Sequence, residues 1–468
     1  MMRTLPCRLL AVMTLWMLFV AAPTSSFAQQ AEADIPPQIM SKLSGLSDEQ
    51  IDFLRGFQPL RVIPTRQKLN QELERRNPGQ IEQFVADMMM AVEAMAFRPG
   101  VDMAQIPLNP EASSFNGFKV VRPQALNEYL REPGPFSVHR YVHQWGGIPT
   151  FAGALVAIDQ ADLIAGDVEV AIVGIPQSMS SGARDARNAP EAIRSMHILG
   201  ERDVYSMVDP LATLNVVDYG DVAVDRMSVH RGMEHVYQRI MEIAEAGAIP
   251  FIVGGDHSLM YPTVKAVQDN EADEALTVIH FGANYNAEPT RAHFLSDRDA
   301  VYRLITERVV EGGNVIQVGL RGSQATPAAF QWLREQGVRY HTMAEVERHG
   351  WDAVAARIID EAKSATDRVY ISLDVSVIDP AQLRAAGRAA AGGLTIRELA
   401  PLLRRLCAET QIAGFEIMDL APMLDLSYVS AMNANYMMNT CLSGVAMRKL
   451  GLDDDSYLDP VTVDHGQN

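Results

Sequence analysis

From about residue 168 onward, short β-rich apolar runs alternate with stretches whose apolar residues recur every three or four positions. The runs are VEVAIVGIP (168–176), LNVVDYGDV (214–222), 251–253, 276–281, VIQVGLRG (315–322), RVYISLD (368–374) and 412–418. Between them, Val229, Met233, Val236, Tyr237, Ile240 and Ile243 form one helical stripe that starts after Ser228 and stops at Gly247, and Pro190 opens another helix. Further helices are expected from Ser258, near 327–336, near 343–363 and around 427–449. Strands apolar on both faces, each followed by a helix, predict a three-layer α/β/α unit around a parallel sheet of about eight strands.

The chain before this unit follows other patterns. Residues 1–28 carry Arg3 and Arg8, an apolar run over 9–22 and the small-residue ending Ser26-Phe27-Ala28, which together read as a secretory signal peptide, with an uncleaved anchor as the alternative. The run is about 14 residues, short of the ~20 that cross a bilayer, so no membrane span is expected after cleavage and the location is periplasmic or secreted. Residues 29–144 read as a mainly helical N-terminal extension with proline-rich joints. Ser47 to Gln50 is a capping-box pattern, and Asn77-Pro78 opens a helix with one apolar stripe of Ile81, Phe84, Val85, Met88, Val92 and Met95. That stripe must pack on something, and the candidates are the α/β unit of its own chain or a neighbouring molecule. The α/β unit is expected over 145–455, with a tail at 456–468.

Charge and cysteine content narrow the class. The formal net charge is −18, and loss of Arg3 and Arg8 with the leader takes it to −20, which works against nucleic acid and anionic membranes as partners and favours small cations. Of three cysteines, Cys7 leaves with the leader, and Cys407 and Cys441 are too few for a disulfide framework, so buried free thiols are the default expectation over a bridge.

The chemistry concentrates in residues 250–286, PFIVGGDHSLMYPTVKAVQDNEADEALTVIHFGANYN, a strand, a Gly254-Gly255 turn, a helix and a second strand. Ligands of open parallel sheets bind at the carboxyl ends of strands, which is where Asp256, His257 and residues 282–286 fall. GGDHS (254–258), this second strand end and SLDVSVIDP (372–380) resemble the ureohydrolase (arginase and agmatinase) family, agmatinase-like members in particular. Scaffold segments such as GGIPTF (146–151) and SGARDARNAPEAIR (181–194) extend the resemblance from Gly146 to about Leu450.

That resemblance implies six ligands for two manganese ions, from the first-motif His, a second motif Asp-Ala-His-x-Asp and a third motif Ser-x-Asp-x-Asp. Here the retained positions are His257 and Asp374, whereas the others fall on Gly282, Asn284, Asn286 and Ser376. The catalytic His of the family falls on Asp297, with His293 four residues away, and the acid that holds the substrate guanidinium falls on Asp419, three residues after Glu416. Two divalent ions bring four positive charges, and neutral amide and hydroxyl oxygens offset little of their repulsion. No cofactor is therefore expected, and Asn284, Asn286, Ser376, His257 and Asp374 are expected to satisfy one another by hydrogen bonds, with a single weakly held ion on His257 and Asp374 as the lesser alternative.

Two functions follow. The leading reading is a pseudoenzyme, a structural, regulatory or ligand-binding subunit in which Asp419, Glu416, Asn284 and Asn286 contact a small cationic guanidine. It would assemble as a homo-oligomer (trimer or hexamer), as the resemblance implies, or with an active paralogue. The alternative is an active, urea-releasing hydrolase of linear amidines that retains manganese in a non-standard site. Replacing Gly282, Asn284, Asn286 and Ser376 by Asp, His, Asp and Asp should restore metal affinity.

Overall fold

The computed structural model describes residues 35–63, 65–94, 96, 149–178, 184–196, 202–289, 295–323 and 325–462. The leader, Met95, residues 97–148, 181–183 and His293 lie outside the described residues. The chain divides into two compact units, one within the residues up to Ala96 and one holding the described residues from 149 onward.

In the first unit, helices span Pro37–Met40, Asp48–Arg55, Arg66–Glu74 and Pro78–Ala94. Ser47 closes the expected capping box: its hydroxyl accepts from the Gln50 amide at 3.2 Å, and its own amide donates to the Gln50 side chain at 3.0 Å. Asn77 and Gln80 repeat that exchange at the start of the last helix. The stripe Ile81, Phe84, Val85, Met88 and Val92 is buried among Ile39, Leu43, Phe53, Leu54, Leu69 and Leu73. This corrects the expectation that it lies on the α/β unit or on a neighbour. Four short helices, each with one apolar side, close a core of their own.

In the second unit, nine parallel strands are described: β1 Leu155–Val156, β2 Val170–Gly174, β3 Val216–Asp221, β4 Ile249–Val253, β5 Leu276–Phe281, β6 Val315–Leu320, β7 Arg339–Thr342, β8 Arg368–Asp374 and β9 Gln411–Met418. Their order in the sheet is β1-β3-β2-β4-β9-β8-β5-β6-β7. The two strands that the apolar pattern does not show are its edges, β1 with two exposed residues and the largely polar β7. Interior strands alternate between the two faces: Val170 and Ile172 enter the core beneath helices Ile396–Glu409 and Val429–Lys449, and Ala171 and Val173 enter the core beneath Val229–Glu245 and Met260–Asn270.

Three further expectations change. The helix expected near 343–363 is two helices, Met343–His349 and Trp351–Ala365, parted at Gly350 with φ 80°. The helix expected from Ser258 begins instead with a tight turn, His257–Leu259, before Met260–Asn270. Cys407 and Cys441, expected as free thiols, form a disulfide between helices Ile396–Glu409 and Val429–Lys449. Gly444 lets these helices approach so closely that a Cβ there would stand 2.6 Å from the Cys407 Cβ, and the cysteine Cα atoms come within 5.4 Å, inside the bridging range. Among the described residues no helix is long and apolar enough to cross a membrane.

Candidate functional site

The site lies at the carboxyl ends of four adjacent strands in the middle of the sheet, β4, β9, β8 and β5. Gly254 and Gly255 end β4 because the chain there has no room for side chains: a Cβ would stand 2.0 Å from the Met418 sulfur at Gly254 and 1.4 Å from the Gln177 carbonyl oxygen at Gly255. The Asp256 amide donates to that same carbonyl at 3.0 Å. The turn delivers His257 into the site, fully buried.

Both nitrogens of His257 are engaged. Nε2 lies 2.7 Å from the Ser372 hydroxyl on β8, and that hydroxyl donates to Glu416 Oε1 on β9 at 2.5 Å. Nδ1 lies 2.8 Å from the Asn286 amide nitrogen, and the Asn286 oxygen accepts from the Arg388 guanidinium at 2.8 Å. Arginine only donates, so it fixes the Asn286 oxygen towards itself and the amide NH2 towards His257. Nδ1 is therefore the acceptor and Nε2 carries the proton. Asp374 Oδ2 stands 3.5 Å from Nδ1, without a hydrogen-bond partner.

The second strand end contributes less than its spacing suggests. Gly282 brings no side chain, and the ring of His280, two residues earlier and on the same face, takes its space: a Cβ at Gly282 would stand 2.8 Å from His280 Nε2. Gln317 Nε2 donates to the Tyr285 carbonyl at 2.6 Å and faces His280 Nδ1 at 3.3 Å, which leaves the His280 proton on Nε2. Burial, with the neighbouring His257 adding to it, lowers the His280 pKa to about 3, so the ring is neutral. Asn284 is buried with its amide nitrogen unpaired, and the Ser376 hydroxyl accepts from the Ala283 amide at 3.1 Å. Asn286 sits in the left-handed region at φ 45°.

Two acids close the site. Asp297 is buried, and its Oδ2 meets Arg388 Nε at 2.8 Å, a contact of opposite charges lying off the N–H axis, since neither atom completes a directed hydrogen bond. Burial pushes the Asp297 carboxyl above its ordinary value while Arg388 pulls it back. Asp419 is fully buried at φ 68°, and neither of its carboxylate oxygens has a hydrogen-bond partner. Burial and the charge of Asp374 raise it well above the usual carboxylate range, with Arg388 offsetting part of this. Burial also acts to raise Asp374, while Arg388 and the Ser376 amide, which donates to Asp374 at 2.7 Å, act to lower it. Glu416 accepts from Thr263 at 2.7 Å and Tyr370 at 2.6 Å besides Ser372, and its Oε1 stands 3.9 Å from His257 Nε2.

The structure thus gathers His257, Gly282, Asn284, Asn286, Asp297, Asp374, Ser376 and Asp419 at one sheet end, and sets Glu416 beneath them. Sequence reasoning passed over His280 and Arg388. The strand alternation could have found His280, two positions from Gly282 on β5. Arg388 lies in an irregular segment after β8, where no periodicity points to it.

For a metal ion, His257, His280 and Asp374 are the described group with ligand atoms within 4.8 Å of one another. Both histidines fit poorly: the His257 Nδ1 lone pair accepts from Asn286, and His280 Nε2 carries its proton. That leaves Asp374 Oδ2 as the open ligand atom of the three.

Comparison with known proteins agrees with this architecture. The chain is 27% identical over 316 residues to guanidinobutyrase of Pseudomonas aeruginosa, covering 65% of this chain and 95% of that protein. It is 29% identical over 271 residues to agmatinase of Chromobacterium violaceum, covering 57% and 80%. The fold matches the solved structure of proclavaminate amidino hydrolase from Streptomyces clavuligerus with a TM-score of 0.59 at 24% identity, over 65% of this chain and 99% of that one. The sequence pattern of the arginase family spans residues 168–443, more than half of the chain, and on that match this protein belongs to the arginase family.

Proposed function

We propose that this protein is a non-hydrolytic member of its family, an exported structural or regulatory subunit rather than an amidine hydrolase. The observation that carries this reading is the donor set at the strand ends. Asn284, Asn286 and Ser376 are neutral, Gly282 contributes nothing, His257 has both nitrogens engaged, and Asp374 is the one carboxylate among the six motif positions. Two divalent ions bring four positive charges a few ångströms apart, and one carboxylate leaves most of that repulsion uncompensated. The residues present do not fit a binuclear centre.

Export is supported by the leader-like residues 1–28 and by the Cys407–Cys441 bridge, a bond that persists in oxidising compartments. Assembly, as a trimer or hexamer or with an active paralogue, is supported by exposed apolar side chains close together in the chain after β9, Met423 at 69%, Leu426 at 81% and Tyr428 at 59%. A second reading, an active guanidino-compound hydrolase with a non-standard site, is favoured by the unpartnered oxygens of Asp374 and Asp419, which leave acceptors for a cationic substrate. Metal analysis decides between the two. Purified protein is expected to carry well under one Mn or Ni per chain and to release no urea from agmatine, arginine or guanidinobutyrate. Close to two ions per chain together with urea release establishes the hydrolase.

A further inference from the structure

Arg388 belongs to the segment that follows the third motif, and backbone contacts dock that segment beside Asp419. The Gly387 amide donates to the Asp419 carbonyl at 3.0 Å, the Ala421 amide donates to the Ala385 carbonyl at 2.7 Å, and Ala386 pairs with Leu420 in an isolated antiparallel bridge. From that anchor the Arg388 side chain, 12% exposed, runs inward to Asn286 and Asp297. Its guanidinium meets the buried Asp297, and its charge acts on two further buried acids from separate parts of the chain, Asp374 at the end of β8 and Asp419 after β9.

We propose that Arg388 is the resident cation of this site: its guanidinium fills the place against Asn286 and Asp297 that a free guanidinium would take, and keeps the site closed to such ligands while its segment stays docked. This rests on the reading of the site as non-hydrolytic and deepens it.

Three observations carry the assignment. First, Arg388 is held through its guanidinium, one N–H directed to the Asn286 oxygen at 2.8 Å and Nε in charge contact with the Asp297 carboxylate at 2.8 Å. Second, the guanidinium starts a chain with one direction throughout. Arg388 donates to Asn286, Asn286 to His257, His257 to Ser372 and Ser372 to Glu416, so the orientation of each group follows from the one before it. Removing Arg388 frees the Asn286 amide to turn and leaves the His257 lone pair without an assured donor. Third, buried carboxylates need a counter-charge, and this side chain supplies one inside a cluster where Asp374 and Asp419 keep oxygens unpartnered.

The test is a vacancy experiment on the full chain with methylguanidinium as the probe. Arg388→Ala removes the side chain and leaves its cradle. The variant is expected to bind methylguanidinium at least tenfold more tightly than the unaltered protein by calorimetry, with its thermal midpoint raised by the probe and not by sodium chloride of equal ionic strength. Asp297→Asn added to Arg388→Ala is expected to abolish that gain. Should Arg388→Ala fail to fold, Arg388→Gln, which keeps the stem and a donor for Asn286, takes the same titration. Affinity no greater than that of the unaltered protein in whichever variant folds, or a gain that survives Asp297→Asn, overturns the proposal. Its failure is separable from failure of the non-hydrolytic reading, which the metal content and urea release of the unaltered protein decide.

Discussion

Two buried carboxylates three residues apart at the end of β9 have opposite surroundings. Glu416 receives three hydroxyls, from Thr263, Tyr370 and Ser372, so both of its oxygens are satisfied. Asp419 is equally buried, sits in the left-handed backbone region and has no hydrogen-bond partner on either oxygen. An ionised group out of water is tolerated where donors replace its hydration and is costly where they do not. The first arrangement is that of an anchor, tying β9 to β8 and to the helix Met260–Asn270 under the site. The second resembles a binding surface, where fold stability is given up to keep acceptors available.

The largest effect that bears on this contrast is expected at the anchor. Glu416→Ala takes the acceptor from the buried Tyr370 and Ser372 hydroxyls, while Thr263 keeps the Leu259 carbonyl, and should lower stability by about 3–5 kcal/mol, read from the denaturant midpoint. A loss under about 1 kcal/mol would show that the hydroxyls find other acceptors and that the two carboxylates differ less than their geometry implies.

Next in size is the second strand end. Gly282→Asp must displace His280, whose Nε2 would stand 2.8 Å from the new Cβ, and should cost about 1–3 kcal/mol. The same overlap changes the restoration design. The fourfold replacement at Gly282, Asn284, Asn286 and Ser376 should recover Mn²⁺ binding only with His280→Ala added. Calorimetry of the two variants checks this, and equal Mn²⁺ affinity in both would show that His280 gives way freely.

At Asp419 the expected change is smaller and of opposite sign. Asp419→Asn should raise stability by about 1–2 kcal/mol at neutral pH, because folding must otherwise protonate this carboxyl or bury its charge without donors. The sign of its pH dependence follows from the raised folded-state value of Asp419. That value favours the protonated carboxyl in the folded state, so the native contribution is fully present below the unfolded value of about 3.9 and is lost as pH rises towards the folded one. The advantage of the variant should therefore vanish near pH 4 and grow with pH, as midpoints across a pH series will show. The smallest change is expected from Tyr370→Phe, which leaves Glu416 with two donors and should cost about 0.5–1.5 kcal/mol by the same midpoint measurement.

Much of the molecule is legible in its residues. The apolar runs mark the interior strands, Ser47 and Ser228 mark helix starts, and Gly254-Gly255 marks the turn that presents His257. These signals are local. A cap satisfies amides two or three residues away, and a strand shows its two faces in its own alternation. The edges β1 and β7 escape because an edge strand buries little and carries no continuous apolar run. The partner of the helical stripe from Ile81 to Val92 escapes because a stripe states that a face is apolar without stating what covers it.

By itself, then, the sequence determined the α/β class, the order of strands and helices, and which strand ends would meet at a site, since each depends on short-range periodicity and on turn residues. Tertiary structure alone decided the rest. It paired Cys407 with Cys441 across two helices, set the His280 ring in the space left by Gly282, and brought Arg388 against Asn286 and Asp297. Each of these joins groups distant in the chain or turns on a side-chain direction, and residue spacing records neither. The physical reason is that a buried charge or thiol takes its character from whatever the folded chain places within a few ångströms of it.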